Sequence, residues 1–292
     1  MFPAPFEYYR AATADEAIAT LSKYGGDARI LAGGQSLIPA MRFRLARPAV
    51  LVDVNPASEL GYLNEANGSL RVGAIARDSA LERSPLVASK YALLCDVGAV
   101  VADPVVRQMG TVVGSLCHND PSGDWPVAAL AMRAQITIMS KDGKRTVSID
   151  DFIVDSFSTA VADGEMAVEV SFPTPAAGTS GAYKKLERKV GDFATACASA
   201  ALSLASDGTI SAASVAIGAV GPVAMRVREA EKLLTGARPS KELLRAAGDE
   251  ARKIADPVAD TRGSADYKKD MAGVLLERAL RTTLERLEVK LA

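Results

Sequence analysis

The sequence predicts an α+β fold in successive parts, and three observations carry that reading. A double glycine, Gly33-Gly34, sits between an apolar strand signal and a helical pattern, which marks a small βαβ-like unit. Two hairpin signals follow, Asn67-Gly68 and Asp142-Gly143, each flanked by strand-like runs, so the middle of the chain is antiparallel and unlike the alternating pattern of a nicotinamide-binding domain. The run Pro173-Thr174-Pro175-Ala176-Ala177-Gly178-Thr179-Ser180-Gly181 then has linker composition and sets off a smaller domain of antiparallel sheet and helices.

Taken in order, Thr13 caps a helix carrying Ala17, Ile18 and Leu21 on one face, Glu16 completes a capping box, and Gly25-Gly26 stops it. Strands are predicted over 29–32 and 49–54, with a short helix over 35–42 between them. Residues 61–65 and 69–74 form the first hairpin; Asp78 and Ser84-Pro85 start helices, and 86–101 reads as one broken helical region. Residues 135–140 and 144–148 form the second hairpin, and 168–172 a closing strand. Beyond the linker, strands are predicted over 182–188, 194–204 and 210–218 and helices over 227–234, 240–254 and 264–287. The domain division is 1–176, with lobes of about 1–55 and 56–176, and 177–292.

Composition narrows the possible partners. The chain has 292 residues, 49% of them hydrophobic and 24% charged, enough for a sizeable core in about two domains. A net charge of −1 without runs of Lys or Arg gives no footprint for nucleic acid, and favours a small-molecule ligand. No apolar run is long enough to span a bilayer, and the first residues lack a secretory pattern, so a cytoplasmic location is expected. Cys95, Cys117 and Cys197 are widely spaced, without the paired spacing that binds zinc or iron–sulfur clusters. His118 is the only histidine and lacks a nucleophile elbow or a zinc-binding partner, so neither a Ser-His-Asp hydrolase nor a metal site is expected.

The candidate site begins at Leu31-Ala32-Gly33-Gly34-Gln35-Ser36-Leu37-Ile38. Without Cβ atoms, Gly33 and Gly34 permit positive φ and close approach of a phosphate to backbone N–H groups, and Ser36 adds a hydroxyl at the helix start. The same pattern also suits an ordinary tight turn. Its place at the C-terminal end of a strand is where α/β units hold ligands. A second candidate is the polar run from Val105 to Pro126, read as a long loop. Gly110 and Gly114 free its backbone, Thr111 and Ser115 supply hydroxyls, and Asp124 offers a carboxylate of the kind that pairs with sugar hydroxyls.

Ala32 to Leu37, Arg107 to Pro126, and Lys185-Leu186-Glu187-Arg188-Lys189-Val190-Gly191-Asp192-Phe193-Ala194 together resemble the FAD-binding medium subunit of molybdenum hydroxylases, the carbon monoxide dehydrogenase and xanthine dehydrogenase flavoprotein family. The resemblance extends over nearly the whole chain. It implies a two-lobed FAD-binding domain of the vanillyl-alcohol oxidase and CO dehydrogenase flavoprotein type, followed by the smaller domain. It also implies roles for residues: Ala32 to Leu37 on the pyrophosphate, completed by Thr111, Val113, Gly114 and Ser115; Asp124 on a sugar or ribityl hydroxyl; Val101 and Ala102 lining an adenine or flavin slot. Lys185, with Asp192 and Phe193, would sit near the isoalloxazine, where a cation offsets charge on the reduced ring.

Two departures from the family pattern stand out. Thr111-Val112-Val113-Gly114 has valine where the family usually has the first of two glycines. Either position 113 keeps an ordinary φ, or FAD binding is weaker or shifted. Gln35 stands where some members have histidine, and Lys184 neighbours Lys185, leaving the flavin-facing lysine open by one position. The function implied is electron transfer: a large molybdenum-cofactor subunit hydroxylates the substrate, a small subunit with two [2Fe–2S] clusters relays electrons, and FAD here accepts them, in a dimer of heterotrimers. No residue of this chain is then a catalytic acid or base, and none ligates metal. The alternative is a stand-alone FAD oxidoreductase of the vanillyl-alcohol oxidase type, with His118 as the only histidine able to link flavin.

Overall fold

A computed structural model describes residues 2–291. The first lobe is a three-stranded parallel sheet of order β1-β3-β2, from β1 (Glu7–Arg10), β2 (Ala28–Leu31) and β3 (Val50–Asp53). Helix α1 (Ala14–Tyr24) connects β1 to β2, and α2 (Leu37–Arg42) connects β2 to β3. Thr13 caps α1 as expected, its Oγ1 accepting from the Glu16 N–H at 3.2 Å, but the Glu16 carboxylate reaches one residue further back, accepting from Ala12 N–H at 2.7 Å. Sequence periodicity missed β1: all but one of its residues are exposed, so no apolar alternation marks it. Residues 35 and 36, expected to be helical, belong to the loop before α2, and Ser36 makes no side-chain cap.

The second lobe is a five-stranded antiparallel sheet of order β4-β5-β10-β6-β7, from β4 (Leu63–Ala66), β5 (Ser69–Gly73), β6 (Gln135–Ser140), β7 (Gly143–Ser148) and β10 (Met166–Pro173). Asn67 and Gly68, at φ 52° and 72°, make the predicted hairpin turn with both central residues left-handed. Between β5 and β6 the chain is helical: α3 (Asp78–Glu82), α4 (Pro85–Lys90), α5 (Ala92–Val100), α6 (Pro104–Arg107), α7 (Val112–His118) and α8 (Asp124–Ala131). The expected long loop over 105–126 is therefore corrected to three short helices. Asp103 caps α6 through hydrogen bonds from the N–H groups of Val105 and Val106, and Thr111 caps α7. Polar residues that suggested a loop are helix caps and the turns between helices. After β7 come α9 (Ile149–Phe152) and the small hairpin β8 (Ile153–Asp155) and β9 (Ser158–Thr159).

The last part is an antiparallel sheet of order β11-β12-β13-β14: β11 (Thr179–Leu186), β12 (Ala196–Leu204), β13 (Ile210–Gly218) and β14 (Met225–Arg226). Helices α10 (Arg228–Leu234), α11 (Lys241–Ile254) and α12 (Ala265–Arg286) cover one face. Along β12 the side chains alternate: Ala196, Ala198, Ala200 and Leu202 pack with α10–α12, while Cys197 and Ala201 join the core of the preceding lobes. The sheet is thus covered on both sides, and Gly218 has no Cβ where Val127 of α8 packs. Charged clamps span the same junction: Arg286 donates to both Asp96 oxygens at 2.7 and 2.9 Å, and Arg226 and Arg228 share Asp150 Oδ1.

Candidate functional site

The loop after β2 holds an unusual set of free donors. The backbone N–H groups of Ala32, Gly33, Gly34, Gln35 and Ser36 have no acceptor among the described residues. Ala32, Gly33 and Gly34 are half-buried, where an unpaired amide is costly unless something else accepts from it, while Gln35 and Ser36 are exposed; successive N–H groups in a turn form a concave anion site. Gly34 has φ 72°, and a Cβ on Gly33 would overlap the Met109 carbonyl oxygen and crowd the Gly110 Cα. The two predicted glycine segments, about 75 residues apart in sequence, therefore touch.

Polar side chains fix that contact. Asn55, just past β3, donates from Nδ2 to Ala32 O at 2.9 Å and to Asp53 Oδ1 at 2.6 Å. Arg77 donates from Nη2 to Asn55 Oδ1 at 2.5 Å and from Nη1 to Met109 O at 2.6 Å. Asp78 donates its backbone N–H to Gly110 O at 2.9 Å, and its Oδ1 accepts from Trp125 Nε1 at 3.0 Å. A Cβ on Gly110 would overlap Asp78 Oδ2, which explains the glycine there. Burial pushes the Asp78 carboxyl up to about 7, against the indole hydrogen bond and the Arg107 and Arg77 charges. Sequence reasoning missed Asn55 and Arg77 as site residues and read Asp78 only as a helix start, because their partners lie 22–47 positions away.

The valine at position 113 is accounted for by the helix. Val113 is the second residue of α7, is absent from the residues with positive φ, and is 3% exposed in the core. Its side chain belongs to the hydrophobic core, and its N–H, like that of Thr111, lacks an acceptor among the described residues. Gly114 N–H donates to Thr111 Oγ1 at 3.1 Å, and a Cβ on Gly114 would crowd that hydroxyl. Ser115 is bound through its N–H to Thr111 O and is half-buried.

Asp124, expected to be open for a hydroxyl, is already partnered. It opens α8, accepts from Tyr183 Oη and from Lys185 Nζ at 3.1 Å, and burial raises its pKa despite the lysine. Tyr183 is pushed well above the usual phenol range, first by burial and then by the Asp124 charge. Lys185 Nζ also donates to Val100 O at 3.1 Å and pairs with Glu187 at 3.3 Å, and its side chain is 3% exposed. Lys185 therefore faces Asp124 and the end of α5, and strand alternation sends Lys184 the other way.

Val101 and Ala102 follow α5; Ala102 adopts φ 48°, and both carbonyls accept from Arg107 Nη1. Gly191, at φ 84°, lies against Ala102 O, bringing the Arg188–Phe193 turn over this segment. Asp192 anchors the turn: Arg262 at 2.9 Å holds its carboxyl below the usual range, with help from the Phe193 N–H and Arg188. Phe193 is 52% exposed, so it is not a core residue. The structure thus joins all three sequence segments in a line: Gly33 to Met109–Gly110, through Asp78 and Trp125 to Asp124, Lys185, Val101–Ala102 and Asp192–Phe193. Leu31 and Ile38 flank it, their side-chain tips close to where a Gly34 Cβ would lie. His118 stands apart at the other end of α7, its ring 5.2 Å from that of Phe157.

A two-lobed chain with glycine loops meeting at a row of free amides, and a third sheet packed against both lobes with its lysine paired to Asp124, is a dinucleotide-binding flavoprotein type of architecture. Residues 4–175 match the FAD binding domain in molybdopterin dehydrogenase, and residues 181–283 the CO dehydrogenase flavoprotein C-terminal domain. The chain belongs to this molybdenum-hydroxylase flavoprotein family. It is 38% identical over 286 residues to the carbon monoxide dehydrogenase medium chain of Hydrogenophaga pseudoflava, covering 98% of this chain and 99% of that one. It is 33% identical to the 6-hydroxypseudooxynicotine dehydrogenase complex subunit alpha of Paenarthrobacter nicotinovorans, covering 98% and 97%. Among solved structures, Hydrogenophaga pseudoflava carbon monoxide dehydrogenase lacking the Mo-pyranopterin moiety of its cofactor superimposes with TM-score 0.95 at 40% identity, covering 98% and 99%. Quinoline 2-oxidoreductase from Pseudomonas putida 86 gives 0.92 at 33%, covering 99% and 100%.

Proposed function

We propose that this chain is the FAD-carrying electron-transfer subunit of a heteromeric molybdenum hydroxylase, an oxidoreductase whose substrate chemistry belongs to a partner. The observation that carries the reading is the row of five unpaired N–H groups from Ala32 to Ser36, set against the Met109–Gly110 turn. Such a row suits a pyrophosphate, which brings several acceptor oxygens and negative charge to one concave surface. FAD, when bound, supplies a redox centre able to take electrons singly from iron–sulfur clusters and release them singly or in pairs.

The chain's own residues then bind and orient. Leu31 to Ile38 and Gly110, Thr111, Val113, Gly114 and Ser115 hold the pyrophosphate; Asp124 and Lys185 form a fixed polar wall; Val101, Ala102, Asp192 and Phe193 frame the ring system. Asp124 reaches a ribityl or sugar hydroxyl only by sharing an oxygen already used by Lys185 or Tyr183, so its role is directional. The domain division at 1–176 and 177–292 puts Lys185 on a different domain from the glycine loops, and both are needed for one site.

Partners are a large molybdenum-cofactor subunit and a small subunit with two [2Fe–2S] clusters, assembled as a dimer of heterotrimers in the cytoplasm. Among the described residues no group of three or more His, Cys, Asp or Glu is placed to hold a metal ion, and no helix is long and apolar enough to cross a membrane. Exposed apolar side chains near the site, Phe43 (68%) and Leu45 (84%), favour burial against such partners. Relatives of similar identity are named for carbon monoxide and for 6-hydroxypseudooxynicotine, which supports a reading in which a partner chooses the substrate. The stand-alone oxidase has less support, since His118 lies away from the loops.

Native purification tests the proposal. The expected result is a yellow protein holding one FAD per chain and co-purifying with a larger molybdenum-containing and a smaller iron-containing chain. A colourless chain that does not take up FAD, or a monomer with full oxidase activity, overturns it.

A further inference from the structure

Arg77 stands out among the charged groups beneath the loops. Its guanidinium is half-buried, and its hydrogen bonds go to neutral oxygens, Met109 O and Asn55 Oδ1. Among the described residues no carboxylate forms an ion pair with it; Asp53 and Asp78 act on it only through space. Asp53 is turned toward Tyr8 and Asn55, and the Asp78 carboxyl toward Trp125 and Gly110. The other nearby cation, Arg107, is paired with Glu82. Arg77 is therefore a half-buried cation with no carboxylate in direct contact, and desolvation lowers its pKa against the more distant charges of Asp53 and Asp78.

The position of that cation is specific. One arm of the fork reaches the carbonyl that Gly33 packs against, and the other reaches Asn55, whose Nδ2 holds Ala32 O. Each loop is therefore one or two hydrogen bonds from the same guanidinium. We propose that Arg77 is the positioning residue of the FAD site, its planar fork setting the spacing of the two glycine loops and its charge complementing the pyrophosphate they receive. This rests on the reading of the loops as the pyrophosphate site. Lysine has no planar fork and cannot serve both carbonyl-type acceptors in the same geometry, whereas it can supply the charge.

The test uses the full chain stripped of flavin, with FAD as the probe. Binding is followed by flavin fluorescence over a series of salt concentrations, and thermal unfolding of the stripped protein is measured alongside. For R77Q the dissociation constant is expected to rise about 10- to 100-fold, the loss typical of a charge-assisted contact. The dependence of binding on salt should become shallower, because one cation near the phosphates is gone. The Tm of the stripped protein should fall by no more than about 5 °C, since the side chain removed made two hydrogen bonds and no ion pair. R77K should keep the wild-type salt dependence with an intermediate dissociation constant. Unchanged FAD affinity in R77Q overturns the proposal, and so does a loss of affinity with wild-type salt dependence and a large fall in Tm, which marks a purely structural residue. Failure of the wild-type chain to bind FAD instead overturns the site reading on which this rests.

Discussion

The two glycine loops reach the same place by different means. In the loop after β2 the backbone is irregular, Gly34 is left-handed, and the Gly33 position is closed to any side chain by the Met109 carbonyl. In the loop before α7 the chain enters a helix at once, so donors come from regular backbone and a β-branched residue at 113 costs nothing. Glycine is demanded there only at Gly110, by the Asp78 carboxyl, and at Gly114, by the Thr111 cap. A glycine pair in a family pattern is thus two separate requirements, of which this chain needs one.

The largest effect should come from breaking the first loop. Gly33→Val puts a side chain onto the Met109 carbonyl and separates the loops, so FAD retention after desalting should fall more than about 100-fold, measured as flavin absorbance per chain; retention equal to wild type would refute the contact as a requirement. Next is Asp78→Asn, which probes the carboxyl that keeps Gly110 bare. The folded pKa of Asp78, about 7, lies above that of an unfolded carboxylate. Its ionisation therefore penalises the folded state as pH rises from about 4 to 7, and the penalty is absent below that range. Asparagine keeps an acceptor for Trp125 without the charge. Thermal melts should show no advantage for the variant near pH 4 and a gain of up to ~4 kcal/mol at pH 8; a pH-independent difference would show that the carboxyl is not titrating there.

The smallest effect sharpens the comparison most. Val113→Gly restores the family residue, yet Val113 is buried in the core with an ordinary helical φ. The substitution should cost about 2–3 kcal/mol of stability, from lost burial and from glycine in a helix, while FAD affinity stays within about threefold. Tighter FAD binding without loss of stability would mean that the valine does constrain the loop.

What the sequence made legible follows the range of the forces involved. Thr13, Ser84, Ser240 and Ser264 cap helices by contacts three residues away, and all four starts were readable. Asn67-Gly68 specifies its hairpin by local φ preference. The helices over 104–131 were hidden by Pro, Gly, Asn and Ser, although Asp103-Pro104 carries the same cap-then-proline signal as Ser84-Pro85. The free amides of Ala32 to Ser36 were anticipated because glycine bears its reason locally. Asn55, Arg77 and the Tyr183–Asp124–Lys185 cluster were not, since each is defined by a partner far along the chain and by no pattern around itself.

The pair of Asp124 and Lys185 has a consequence for how this protein can be divided. The carboxylate belongs to the segment matched by the first family domain, and the ammonium to β11, which begins six residues after β10 ends. A fragment ending near residue 175 would take from Asp124 both its lysine and its tyrosine, together with the sheet that carries them. Breaking a buried pair from one side is strongly unfavourable, on the order of 3–5 kcal/mol. Moving the cut past Lys185 does not mend this, because β11 is paired along its whole length with β12: truncation or domain exchange at this junction breaks either the Asp124–Lys185 pair or the last sheet, so the parts are replaced together or not at all.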